Sequence, residues 1–241
     1  LSQNLATALA EVQRLRASQL SFEEQLESAR SHRERVRAEV MSVEALQRAA
    51  LGQADARANE WLRGAGLADR QRVAETLTVE SGYERAVETV LGDYLEAVCV
   101  GELDGLIDAL AQADGAQFAI FEGSGSAMAG AAGRLSSKVQ GPAAVLEVLE
   151  SVRVVGTLGE ALQARRSLGR GESVITPSGE WVGRGWLRVA RGGDPHAGVL
   201  EREQRLKALR GGGDEADRRV RELESSLQAA RTALGVAEVA L

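Results

Sequence analysis

The chain has little of what most compact domains use to fix a core. Its 241 residues include one cysteine, three prolines, three tryptophans, two tyrosines and three phenylalanines. A single thiol, Cys99, excludes an internal disulfide and a zinc site built on paired thiolates. It reads as a small buried apolar residue. No apolar run approaches the roughly 18–20 residues of a membrane span, and no signal peptide opens the chain, which begins in amphipathic pattern at Leu1. The two histidines, His32 and His196, stand too far apart in the pattern to suggest a local triad or metal site. A phosphate loop of the GxxxxGK[ST] type is absent. Gly123-Ser124-Gly125 with Gly130 lacks the Lys-Ser/Thr such a loop needs and reads as a small-residue loop. Nothing here has the composition of an active site. Both ends fall in mid-pattern, at Leu1 and Leu241, as expected of a piece of a longer chain.

What is abundant is Ala, Leu, Glu and Arg, with a formal net charge of −6. That bias favours long helices over an aromatic-filled core. From Leu1 to Ala50, steps of four and three alternate through Leu5, Ala8, Val12, Leu15, Phe22, Leu26, Ala29, Val36, Val40 and Val43, interrupted only by Gln19, Arg33 and Gln47. An apolar seam sustained over roughly seven heptads predicts a coiled-coil helix, about 75 Å long at 1.5 Å per residue. A second seam runs through Leu206, Leu209, Gly213, Ala216, Val220, Leu223, Leu227, Ala230, Leu234 and Ala237. Gly211-Gly212-Gly213 falls inside it. Three glycines cost about 1 kcal/mol each relative to alanine in a helix, so a break or bend is expected there. The two seams are expected to fold back on each other as an intramolecular antiparallel coiled coil, with the intervening domain at its tip; pairing of each helix with another copy is the alternative. The resulting division is 1–60 for the N-terminal arm, 61–196 for a globular domain and 197–241 for the C-terminal arm.

Between the arms glycine becomes frequent and heptads stop. Ser81 followed by Glu84 predicts a capping box for a helix whose apolar face is Tyr83, Ala86, Val87, Val90 and Leu91, stopped by Gly92. Tyr94 to Val100 reads as a buried strand. Further on, short helices are expected at Leu67–Leu77 (or a connection), Leu103–Ala111, Ala143–Glu150 after Pro142, and Leu158–Leu168. Strands are expected at Ala116–Phe121, Val152–Val155, Ser173–Thr176 and, after the turn Pro177-Ser178-Gly179, Glu180–Val182. This alternation predicts an α/β or α+β domain large enough for its own core. Charge is uneven. Residues 65–132 hold 12 acidic and 3 basic residues, and residues 133–196 hold 6 and 9. The second half is therefore arginine-rich, and Arg134, Lys138, Arg165, Arg166 and Arg170 are candidate phosphate contacts; a solvated face or a partner subunit's acidic half would explain them equally.

The stretch 81–100, SGYERAVETVLGDYLEAVCV, resembles the hinge signature of SMC (structural maintenance of chromosomes) proteins, through Gly82-Tyr83-Glu84, Ala86-Val87-Glu88 and Leu91-Gly92. The resemblance continues through AQFAIF, VRVVGTLGEALQARRSL and VITPSGEWVGRG, and the flanking heptads are similar to SMC arms. It implies an α+β, two-lobed hinge at the tip of an antiparallel coiled coil. Two such hinges would join along sheet edges where glycines let backbones approach. By the same resemblance the second copy is the first partner. The parent would be a cytoplasmic, nucleoid-associated chromosome condensation and segregation ATPase that encloses DNA, with ATP and magnesium at heads outside this segment. A kleisin and its accessory subunit would bridge those heads, with no membrane partner and no cofactor in the hinge itself. The contact glycines map onto Gly183, Gly185, Gly192 and Gly193. The family pattern has a shorter gap before its last glycine pair; here Trp186 to Arg191 intervenes, so Trp186, Leu187 and Val189 become candidate interface residues themselves. The other readings are a DNA-binding module on the arginine-rich half and a zinc-hook tip, for which Cys99 lacks a second thiol.

Overall fold

The computed structural model describes residues 2–51, 56–111, 113, 115–123, 130–189 and 197–240. It divides into two compact units, one of residues 1–44 with 206–241 and one of residues 45–205.

Helix α1 (Ser2–Leu51) opens the chain. In the second unit, α2 (Ala56–Gly64) and the single turn α3 (Val73–Thr76) lead into β1 (Thr78–Val79) and α4 (Glu84–Leu91). α4 begins later than the sequence suggests. Ser81 caps nothing; Tyr83 holds the N-cap position, and the Glu84 carboxylate reaches back to the Gly82 N–H at 2.7 Å. Gly82 has φ +92°, a turn the Ser81 start would not allow. Ala86, Val87 and Leu91 are buried as expected, and Gly92 (φ +50°) ends the helix. The expected strand from Tyr94 shrinks to β2 (Val98–Val100), because Gly92–Glu96 coils into a 3-10 helix that drops Leu95 into the core.

The helix expected over Leu103–Ala111 forms as a 3-10 turn, Asp104–Leu106, followed by α5 (Ile107–Leu110), with Leu103 and Leu110 left exposed. The strand expected at Ala116–Phe121 starts only at β3 (Ile120–Glu122). Phe118 leaves the ladder to stack on Trp61, with ring centroids 4.3 Å apart. β4 (Val139–Gln140) pairs antiparallel with β1. α6 (Ala143–Glu150) starts directly after Pro142, and β5 (Val152–Val154) follows. α7 (Leu158–Ala164) has a true capping box: the Glu160 N–H donates to the Thr157 hydroxyl at 3.2 Å, and the Glu160 carboxylate accepts the Thr157 N–H. β6 (Ser173–Ile175), β7 (Glu180–Val182) and β8 (Leu187–Val189) complete a four-stranded sheet in the order β5-β6-β7-β8, parallel at its first pair and antiparallel after it. β2 and β3 form a separate parallel pair.

The main core gathers Leu77, Leu91, Leu95, Leu135, Leu149 and Ile175. A second cluster packs Leu62 of α2 and Leu67 against Val98 and Val100 of β2. A third, Ala161, Leu168, Val174 and Val182, packs α7 on the larger sheet. The mixed helix-and-sheet fold agrees with the sequence reading.

Helix α8 (Val199–Val239) closes the chain. In the first unit it pairs with α1 through the expected seam: Val12, Leu26, Val43, Leu206, Ala216, Val220, Leu223, Leu227 and Ala230 are buried. Ion pairs set the direction. Arg16 meets Glu238 at 2.6 Å, Arg30 meets Glu224 at 2.7 Å, Arg37 meets Asp217 at 3.0 Å and Glu44 meets Arg210 at 2.9 Å. Each advance along α1 matches an equal retreat along α8, so the pairing is antiparallel and without slip. The expected break at Gly211–Gly213 does not occur; α8 is continuous through it. Gly213 faces Val36, which a Cβ on it would meet at 3.8 Å, and the partner helix supplies the packing that intrinsic propensity lacks.

The candidate interface

A tight hairpin places β8. The Gly183 N–H donates to the Trp186 carbonyl at 2.9 Å, leaving Arg184 and Gly185 at the turn. A Cβ on Gly183 would overlap the Trp186 indole. The room on the Cβ side of Gly183 is thus taken by a ring of its own chain. Gly185 has open space around its α-carbon. Trp186 meets Trp181 edge to face at 5.2 Å, and the Trp181 indole N–H donates to the Ser173 hydroxyl at 2.8 Å.

β8 ends its sheet. Leu187 lies opposite Val182 and Val189 opposite Glu180, which leaves the far side of β8 unpaired among the described residues. Trp186, Leu187 and Val189 are 48%, 49% and 42% exposed. An end strand with three large apolar side chains in four residues invites another strand. Gly192 and Gly193 lie outside the described residues.

The β2–β3 pair also has an unpaired edge among the described residues: β2 is flanked on one side by β3 and on the other by backbone contacts from Gln71 and Arg72, so β3 is the outer strand there. Cys99, inside β2, lines a cleft of about 470 Å³ with Arg70, Thr76 and Gly123. Burial pushes its thiol pKa up.

The five candidate phosphate contacts do not form one surface of free cations. Arg134 and Arg153 both bind the Glu172 carboxylate, at 2.8 and 2.6 Å. With the Gly169 N–H at 2.8 Å, these bonds hold Glu172 down at about 2; the Gly169 bond contributes most, then Arg134. Lys138 is held by Glu80 at 2.9 Å and lies 4.9 Å above the Tyr83 ring; the Glu80 bond raises its pKa. Arg165 donates to the Arg184 carbonyl at 3.4 Å. Arg166 and Arg170 alone are exposed.

Sequence reasoning missed a buried carboxylate. Glu88, only 2% exposed, accepts the Gly198 N–H at 3.1 Å and the Leu200 N–H at 3.0 Å. Its neighbour Gln47 was visible only as a polar interruption of the seam; it donates to the Val199 carbonyl at 3.1 Å.

Residues 67–165 match the family model described as the SMC proteins flexible hinge domain. The chain carries an SMC hinge. The matched stretch stops short of β6–β8, so the candidate interface lies beyond it. Two curated relatives reach further. The chromosome partition protein Smc of Coxiella burnetii (strain RSA 493 / Nine Mile phase I) is 40% identical over 70% of the chain. That of Methylococcus capsulatus (strain ATCC 33009 / NCIMB 11132 / Bath) is 36% identical over 90% of it. The chain spans only 15% and 18% of the length of these relatives. Among solved structures, an asymmetric dimer of the Geobacillus stearothermophilus SMC hinge domain superposes with a TM-score of 0.65 at 20% identity, covering 92% of this chain and 98% of that one. At that identity the likeness speaks for the SMC-hinge fold alone. No described helix is long and apolar enough to cross a membrane.

Proposed function

We propose that this hinge joins two copies of its chain, and that β8 is the joining strand. The observation that carries the reading is the free edge of β8 with Trp186, Leu187 and Val189 exposed beside it. The free edge of β3 supports a closed arrangement. If β8 of one copy adds to β3 of the other, a two-fold axis repeats the same junction on the opposite side, and no edge is left to propagate. The Geobacillus stearothermophilus hinge is described as an asymmetric dimer, which supports the joining of two hinges but not the two-fold symmetry. For the whole protein, the names of the curated relatives support a role in chromosome partition. There, paired hinges would link two arms around DNA in the cytoplasm, ATP and magnesium would act at heads elsewhere in the longer chain, and a kleisin with its accessory subunit would bridge those heads. Leu187 and Val189 are exposed, so changing both to lysine leaves the fold intact while placing two charges on the edge. Sedimentation should give twice the 25.6 kDa chain mass for the parent and the single mass for the variant. A monomeric parent, or a variant that still sediments as a dimer, overturns the reading.

A further inference from the structure

Among the described residues, helix α8 begins without a capping side chain of its own. Its entry residues are Ala197 and Gly198, neither of which can accept a hydrogen bond through its side chain. Gly198 has φ +74°, and a Cβ there would come within 2.9 Å of Arg202. The first free N–H groups of a helix need acceptors, above all when buried; Val199 and Leu200 are both buried. Glu88 supplies them, one oxygen to the Gly198 N–H and the other to the Leu200 N–H. A carboxylate is also the favoured charge at this end of a helix.

The groups around it complete a chain of bonds inside the unit. Arg85, on the same helix, lies 3.7 Å from Glu88. From α8, Arg202 donates to the Gln47 side-chain oxygen at 3.1 Å and to the Ala197 carbonyl at 3.1 Å. Gln47 donates in turn to the Val199 carbonyl and, at 3.4 Å, to the Glu203 carboxylate. On the other side, α4 carries the turn between β6 and β7: a Cβ on Gly179 would sit 2.8 Å from the Thr89 hydroxyl and 3.2 Å from Arg85. One short helix therefore touches both the sheet that ends in β8 and the first turn of α8.

We propose that Glu88 is a positioning residue that caps α8 from a distance, setting where that helix begins and making its first turn depend on the packing of α4. The proposal does not need the dimer reading, since every contact lies within one chain. It predicts a local signature. In the full 241-residue chain, E88Q keeps one acceptor and turns the other into a donor facing an N–H. Amide hydrogen exchange at Gly198 and Leu200 should quicken roughly tenfold or more, while Val174 and Val182 in the sheet keep their parental rates. L91A, which leaves a cavity in the core beside the same helix, serves as the structural control: it should speed exchange broadly, without singling out Gly198 and Leu200. If E88Q fails to fold, E88D carries the test, since its shorter side chain keeps the charge but cannot reach both N–H groups. In the unmodified chain, the Gly198 and Leu200 amide resonances should move with the Glu88 carboxyl as it titrates. Uniform quickening in the Glu88 variants, or amide shifts that ignore the carboxyl, would overturn the assignment.

Discussion

The paired helices and the globular unit are held together in different ways. Between α1 and α8, the same few contacts recur heptad after heptad, and the ion pairs sit at the surface, where each contributes little. Any one of them could be lost. In the globular unit the polar groups go inside. Glu88, Thr89, Ser136, Ser173 and Thr176 are all buried, and each has a specific partner: Ser136 bonds Glu150, Thr176 bonds Glu180, Ser173 bonds Trp181. Here single residues matter, because an orphaned buried group costs more than a lost surface pair gains. Repetition makes the arms tolerant, and uniqueness makes the hinge specific.

The sharpest way to break that contrast is to cut one leucine from each region. L149A, in the main core, should destabilise the globular unit by about 2–5 kcal/mol. L223A, in the seam, should lower helix content while leaving the globular transition in place. The three tryptophans, Trp61, Trp181 and Trp186, all belong to the globular unit. Their fluorescence therefore follows that unit, and circular dichroism follows the helices. Equal shifts of tryptophan fluorescence in both variants would erase the distinction.

The next test uses acid. Glu172 titrates at about 2 in the folded chain against 4.5 as an ordinary carboxyl. A lowered folded pKa means its contribution is fully present above about 4.5 and is lost as pH falls toward about 2. E172Q should remove that part of the acid dependence, bringing the variant and parent stabilities together at the low end of this window. A constant gap across it would show that the Arg134 and Arg153 bonds do not act through charge. The smallest effect belongs to the arms. Gly212 has open space around it and helical backbone, so G212A should stabilise α8 by about 1 kcal/mol. At Gly82, where φ is +92°, G82A should destabilise. If both glycines respond alike in thermal unfolding, the difference in backbone is not what separates them.

Periodicity made the arms legible residue by residue, because a heptad seam depends on local repetition and a partner of the same kind. Local punctuation served equally well in parts of the hinge: Pro142 before α6, and Pro177-Ser178-Gly179 between β6 and β7. What escaped depends on contacts distant in sequence. The Gly211–Gly213 run reads as a break until Val36 is placed against it. Tyr94 and Leu95 read as strand until the core claims Leu95. That Trp186 fills the Cβ side of Gly183 is likewise not readable from the glycine alone. Glu88 reads as one more charge on a helix, because the N–H groups it binds lie more than a hundred residues downstream.

The insertion of a whole domain between α1 and α8 also bears on how the chain reaches its folded state. Arg16 and Glu238 are 222 positions apart, and closing so long a loop is entropically costly and slow. The globular unit removes most of that search. Once its own interior has formed, Gln47 lies against Val199, and the two helices are tethered at one end at high effective concentration. Pairing then needs only to propagate outward, turn by turn, and each seam residue meets its partner after the preceding one has already done so. A nascent chain cannot begin this while α8 is unmade, so the exposed seam of α1 must wait, unpartnered, until nearly the last of these residues has been synthesised.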